Sequence, residues 1–162
     1  MNTKAKTIIG ILVVGVLGIG LIVWGKSLSN KKDSNLTSRE VALTCTTDMA
    51  TKFHIHPELT IVINGENVLV PLNLGIKPTC MTSIHTHEEV GVIHVEAPIQ
   101  KDFTLGDFFA VWGKEFNRNQ ILEYTRDDSS TISITVNGAT VDTYENTILK
   151  DGDKIIISYQ KQ

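Results

Sequence analysis

The sequence has no excess of basic residues. Its 15 lysines and arginines stand against 18 aspartates and glutamates, which gives a formal net charge of -3 over 162 residues. Domains that bind nucleic acid usually carry clustered lysine and arginine, so we expect no nucleic-acid partner. The chain also lacks internal repeats and a glycine-rich loop that could cradle phosphate. These absences point away from nucleotide and nucleic-acid chemistry.

Cysteine is also scarce, and the chain contains only Cys45 and Cys80. No cysteine lies near the N-terminus, so a lipobox is absent, and no methionine follows His85 as a blue-copper loop would require. The pair predicts a disulfide in an extracytoplasmic domain, closing a loop of about 36 residues. The alternative is that Cys80, five residues before His85, is a thiolate metal ligand.

Histidine is absent outside residues 54–94, and inside that segment all five histidines lie in motifs with one intervening residue. The motifs are His54-Ile55-His56, His85-Thr86-His87 and His94-Val95-Glu96. Side chains at i and i+2 of a β-strand share a face, so each motif can present two ligands to one point. Because imidazole is the commonest metal ligand, we predict a zinc or copper site built on His54, His56 and His94. His85 or His87 would complete the shell.

Residues 7–25 form a long apolar segment. It contains 19 residues without a charge, close to the roughly 20 that cross a hydrocarbon core. Trp24 lies at its edge, where an indole prefers the headgroup region. A cleaved signal peptide is the competing interpretation, but no small-x-small site closes the run. We therefore expect an uncleaved single-pass anchor in the cell membrane.

The flanks of this segment predict the topology. Lys4 and Lys6 favour a cytoplasmic tail at residues 1–6, whereas the basic residues after the span favour the opposite orientation. The short tail and the cysteine pair favour a domain on the extracytoplasmic side. Residues 26–44, rich in serine, asparagine and lysine, are predicted to be a flexible tether. Residues 45–162 are then one histidine-rich β domain with a single core.

Alternation of apolar and polar residues predicts that this domain is mostly β. Residues 53–63 read as one strand ending in an Asn-Gly hairpin turn, and Pro71 marks the returning strand as an edge. Residues 91–98 resume the alternation. If this strand lies beside the first, His54, His56 and His94 converge. The loop between the two strands then places His85 and His87 close to them.

Residues 104–113 have helical spacing, with Thr104 as N-cap, Asp107 in a capping-box position and Gly113 as the end. A second Asn-Gly hairpin and a final strand follow. The predicted class is therefore mainly β (α+β), with antiparallel hairpins and one short helix. This order resembles a β-grasp, and the string at 149–159 resembles the end of ubiquitin-like sulfur carriers. Those carriers act through a terminal Gly-Gly pair that is absent here, so sulfur transfer is not inferred.

Three strings together resemble a family of membrane-anchored or exported bacterial and archaeal proteins. They are FHIHPELTIVING, CMTSIHTHEEVGVIHVEAP and FTLGDFFAVWG. The resemblance spans most of Cys45 to Tyr159 and implies a shared histidine-bearing fold. It implies no established activity, so the function has to be inferred from the residues.

Three functions fit these observations. The first is a membrane-anchored metal-binding protein for sensing, buffering or delivery, with a metal-transfer partner of unknown identity. The second is a zinc-dependent hydrolase or hydratase, with three histidines, a bound water, and Glu88, Glu89 or Glu96 as base or ligand-orienting group. The third is a metal-free interaction domain whose histidines respond to pH. Five histidines exceed what a three-ligand catalytic site needs, which favours the first.

Overall fold

The computed structural model describes residues 35–47 and 51–162. The predicted cytoplasmic tail, the anchor at 7–25 and the first part of the predicted tether, residues 26–34, lie outside these residues. Among the helices of the described part, none is both long enough and apolar enough to cross a membrane.

The described chain is mainly β, as the sequence predicts. The helices are α1 (Ser38–Leu43) and α2 (Leu105–Trp112), and a 3-10 turn spans Tyr144–Asn146. The strands are β1 (Cys45–Thr46), β2 (Phe53–Ile55), β3 (Glu58–Ile63), β4 (Glu66–Val68), β5 (Ile76–Lys77), β6 (Cys80–Thr82), β7 (Ile84–His85), β8 (His94–Ala97), β9 (Phe116–Asn117), β10 (Gln120–Ile121), β11 (Tyr124–Thr125), β12 (Ser130–Val136), β13 (Ala139–Val141) and β14 (Lys154–Lys161).

The largest sheet has five strands in the order β13-β12-β14-β3-β4. Its two hairpins turn at the predicted Asn-Gly pairs, where both residues have positive φ. β4 lies at the edge and ends before Pro71, as predicted. At the centre, β14 pairs in parallel with β3, from Lys154 opposite Glu58 to Tyr159 opposite Ile63. This parallel pair goes beyond the antiparallel hairpins that the sequence predicts.

Helix α2 confirms the local prediction in detail. The Thr104 side chain accepts a hydrogen bond from the backbone N–H of Asp107, and the Asp107 carboxylate accepts one from the backbone N–H of Thr104. Gly113 ends the helix in the left-handed conformation. Phe108 and Phe109 are buried in the core, so the aromatic side chains of this helix pack the interior of the domain.

Helix α1 corrects the predicted domain boundary. Thr37 and Glu40 form a capping box at its start, and Val41 and Ala42 are buried. Arg39 Nε lies 2.6 Å from Oδ1 of the buried Asp107 in α2. The compact unit accordingly begins at Leu36, so the last part of the predicted tether at 26–44 belongs to the folded domain. A helix that buries only two small apolar residues leaves little periodicity in the sequence.

The first histidine strand is broken where the sequence predicts continuity. Pro57 has no backbone N–H to donate to a ladder, and the chain leaves one sheet and joins another around it. β2 pairs with β8 in the three-stranded sheet β2-β8-β7, whereas β3 enters the five-stranded sheet. The break leaves His56 between the two sheets.

A disulfide joins Cys45 in β1 to Cys80 in β6, as predicted. β6 continues within two residues into β7, which carries His85. The bond thus ties the segment after α1 to the segment that supplies the second histidine motif. Cys80 has no thiolate to offer a metal, and the alternative ligand role is excluded.

Candidate metal centre

The three-stranded sheet β2-β8-β7 brings the histidine motifs together. The register places His54 opposite Glu96 on β8 and His85 opposite His94. Residues opposite each other in an antiparallel pair share a face, so these side chains point to one side of the sheet. The strand with His94 therefore lies beside the first histidine strand, which is the arrangement that the predicted convergence of the histidines requires.

His94 is the centre of the cluster. Its ring centroid lies 4.8 Å from that of His56, 4.7 Å from His87, 5.5 Å from His85 and 6.1 Å from His54. The outer members pair with each other, at 4.3 Å for His54 and His56 and 4.8 Å for His85 and His87. Two pairs of imidazoles thus flank one shared ring.

Two groups of three histidines have the spacing of a metal site. The outer triad is His54, His56 and His94, and the inner triad is His85, His87 and His94. In each triad the ligand atoms lie within 4.8 Å of one another. The sequence predicts that His85 or His87 completes the metal shell as a fourth ligand beside His54, His56 and His94. Among the described residues, the groups that meet this spacing have three members each.

The inner triad contains a buried and oriented imidazole. His85 has no exposed surface, and its Nδ1 donates a hydrogen bond to the carbonyl of Thr82 at 3.0 Å. Its Nε2 is thereby left to accept, and it lies 3.1 Å from Nε2 of His87. Two nitrogens bound to one tetrahedral zinc ion would lie about 3.3 Å apart, given bonds of about 2.0–2.1 Å. The pair is therefore spaced much as a zinc ion would require.

Burial favours the neutral form of two imidazoles of this triad, those of His85 and His94. It lowers the pKa of His85 to about 4, against a smaller opposing effect of the Thr82 carbonyl. Burial also lowers the pKa of His94, and the neighbouring His87 and His56 lower it further. Neutral imidazole is the form that binds a metal.

The outer triad faces solvent. The side chains of His54 and His56 are 44% and 43% exposed. His54 Nε2 lies 3.1 Å from the Glu96 carboxylate, which leaves Nδ1 of His54 for a ligand. His56 Nδ1 lies 3.4 Å from the Asp151 carboxylate, which also accepts a hydrogen bond from the His56 backbone N–H. Carboxylates that orient ligating histidines are common around metals in proteins.

His94 has an unsatisfied nitrogen. Its Nδ1 is buried and, of the buried side-chain polar atoms in the described residues, it is the one without a hydrogen-bond partner. Leaving a buried polar atom unpaired costs roughly 1–3 kcal/mol. A metal ion bound to that nitrogen would remove the cost.

The carboxylates named from the sequence have different positions. Glu96 lies beside His54, whereas Glu88 and Glu89 are exposed and belong to neither triad. Asp151 is not predicted from the sequence as a residue of this site; it lies three residues before Lys154, where the last strand begins. It reaches His56 through the parallel pairing of β14 with β3, which no local pattern indicates.

Comparison with known proteins assigns neither a family nor a function to this chain. No family model, curated protein or solved structure matches this chain.

Proposed function

We propose that this protein binds a transition-metal ion, zinc or copper, through the histidines of the two triads. The observation that carries the proposal is the convergence of four imidazoles on His94, whose buried Nδ1 has no partner. Imidazole suits both metals, and the histidines alone favour neither.

The surroundings of the histidines support the same proposal. His54 and His85 each have one ring nitrogen engaged by an oxygen acceptor, and His56 has one close to Asp151. This fixes the ring orientation and leaves the other nitrogen for a metal. Histidines that served only as solvated surface residues would not require their rings to be fixed in this way.

The proposed location is the extracytoplasmic face of the cell membrane. The apolar segment at 7–25 supports an N-terminal anchor. The Cys45–Cys80 disulfide supports an oxidising compartment, because such bonds are rare in the cytosol.

We also propose that the domain is related to the β-grasp fold. The order of the five-stranded sheet supports this relationship, because its first strand along the chain, β3, pairs in parallel with its last, β14, and each flank of that pair is a hairpin. The family resemblance and a metal-transfer partner remain part of this proposal.

Metal content tests the function directly. The full chain, purified without chelator or affinity tag, should bind about one zinc or copper ion when its metal content is measured by elemental analysis after dialysis. His94→Ala removes the ligand common to both triads and should abolish this binding. Thr60→Ala, an exposed change on β3, is the control and should retain the metal. Stoichiometric metal in the His94→Ala protein would refute the proposal.

A zinc hydrolase or hydratase is the second candidate, and the three-ligand triads favour it. Three protein ligands leave a fourth position on a tetrahedral zinc ion for an activated water. Neither triad has a free carboxylate within its ligand set, however, and Glu96 is held by His54. We therefore expect the zinc form to show no esterase or carbon dioxide hydration rate above that of His94→Ala. A zinc-dependent rate lost in that variant would establish the enzyme.

A further inference from the structure

The two triads share one ligand, which limits how they can be filled together. A neutral imidazole has one ring nitrogen with a free lone pair, because the other carries the proton. His94 can therefore complete the outer triad or the inner triad, but it can serve both ions at once only by losing its second proton. Without His94, each triad is reduced to two ligands.

The two triads also differ in access. The outer pair, His54 and His56, is 44% and 43% exposed. The inner pair contains His85, which has no exposed surface, and its nitrogens are already 3.1 Å apart. An ion arriving from solvent meets the outer pair first, whereas an ion held by the inner pair is shielded from competing ligands.

We propose that the two triads are successive positions for a single metal ion, captured by the outer triad and retained by the inner triad, with His94 as ligand in both. This rests on the proposed function. The transfer replaces the nitrogens of His54 and His56 by those of His85 and His87 in the coordination shell. All four imidazoles act as neutral ligands, so no electron is transferred and the net charge of the site is unchanged.

The ring positions suit such an exchange. The His94 centroid lies 4.8 Å from His56 and 4.7 Å from His87, so one member of each pair is equally close to the shared ring. The orienting groups of the two pairs are separate, with Glu96 and Asp151 on the outer side and Thr82 on the inner side. Each pair can therefore be removed without disturbing the groups that orient the other.

The test uses the full chain and zinc itself. Zinc capture is followed by stopped-flow mixing with a fluorescent zinc indicator, and zinc release by transfer to an excess of chelator. The outer variant is His54→Ala/His56→Ala, and the inner variant is His87→Ala, because fully buried His85 is needed for packing. Thr60→Ala is the control, and circular dichroism verifies that each variant is folded.

Wild type should bind one zinc ion. The outer variant should also bind one, with capture slowed about ten-fold or more and release unchanged. The inner variant should bind one at the wild-type capture rate and release it about ten-fold faster or more. Two ions per wild-type chain, unchanged capture in the outer variant, unchanged release in the inner variant, or no binding in either variant would overturn the two-position proposal.

Failure of the proposed function gives a different result. If wild type binds neither zinc nor copper, both proposals fall. If wild type binds zinc and His94→Ala does not, the function stands, and the kinetics of the outer and inner variants alone decide the two-position proposal.

Discussion

At the scale of single residues, the buried imidazole of His85 makes stability depend on pH. Burial lowers its pKa from 6.5 to about 4, so between these values the unfolded chain binds a proton that the folded His85 does not. The free energy of unfolding of the metal-free protein should therefore fall as pH drops from 6.5 toward 4. The loss should reach roughly 3 kcal/mol at most, by the linkage between protonation and folding.

Urea unfolding at pH 7 and at pH 4.5 measures this effect in metal-free protein. His85→Gln will be less stable at both pH values, but its stability should change less between them than that of wild type. The comparison of slopes removes the cost of the substitution itself. Equal slopes in the two proteins would contradict a neutral, buried His85.

Glu96 offers a second prediction at this scale. Its carboxylate lies 3.1 Å from Nε2 of His54, where it can orient the ring for metal binding. Glu96→Gln keeps the shape and loses the charge, and a change in such an orienting group typically weakens metal binding 10- to 100-fold. We expect weakening of about that size at the outer triad. The inner triad would mask it at equilibrium, so the measurement is a zinc titration in the His87→Ala background.

The matched control for this change is Glu123→Gln, an exposed glutamate outside both triads. It removes the same charge and should leave the titration unaltered. Equal affinities in the Glu96→Gln and Glu123→Gln proteins would show that Glu96 does not act on His54.

At the scale of elements, Gly75 holds a loop tightly against the strand that carries His85. Its φ is +73°, and a Cβ there would lie 2.6 Å from the Ile84 carbonyl and 3.2 Å from Cβ of His85. Gly138 has a similar φ of +82° but no atom within 4 Å of such a Cβ. Alanine substitution at Gly138 therefore introduces backbone strain alone, whereas substitution at Gly75 introduces backbone strain and steric overlap.

Gly138→Ala should lower the free energy of unfolding by the strain alone, about 1–2 kcal/mol. Gly75→Ala should add an overpacking penalty of about 1–3 kcal/mol and weaken zinc binding, because β7 must move. Chemical denaturation and zinc titration of both variants provide the measurements. If Gly75→Ala has no larger effect than Gly138→Ala, the loop does not support the inner triad.

The elements also show which parts of the fold are readable from sequence. Helix α2 is predictable because Thr104, Asp107 and Gly113 act within one short segment. Helix α1 is missed because its contact with Asp107 crosses 68 residues and its buried face is small. The parallel pairing of β14 with β3 is missed for the same reason, since it joins strands from opposite ends of the domain.

The candidate site likewise has features that the sequence predicts and features that it does not. The i, i+2 spacing of the histidines predicts that they share a face, and the structure brings His54, His56 and His94 together. The spacing does not reveal that Pro57 breaks the first strand or that His94 stands between two pairs. Those features depend on register between β2, β8 and β7, which arises from the whole sheet.

At the scale of the whole molecule, the disulfide and the metal should stabilise the domain independently. Cys45 and Cys80 are 35 residues apart, and closing a loop of that size contributes about 4 kcal/mol in the chain-entropy model. Metal binds the native state, so an ion at a hundred times its dissociation constant adds about 2.7 kcal/mol. Neither cysteine is a proposed ligand, so the two contributions should add.

A four-way comparison of wild type and Cys45→Ala/Cys80→Ala, each with and without zinc, tests this additivity. The double substitution should lower the free energy of unfolding in guanidinium by about 3–4 kcal/mol, and zinc should raise it by a similar increment in both proteins. Reductant should destabilise wild type and leave the double variant unchanged, which is the internal control. A zinc increment present in wild type and absent in the variant would contradict independence and would show that the disulfide is needed to hold β6 and β7 in the metal-binding arrangement.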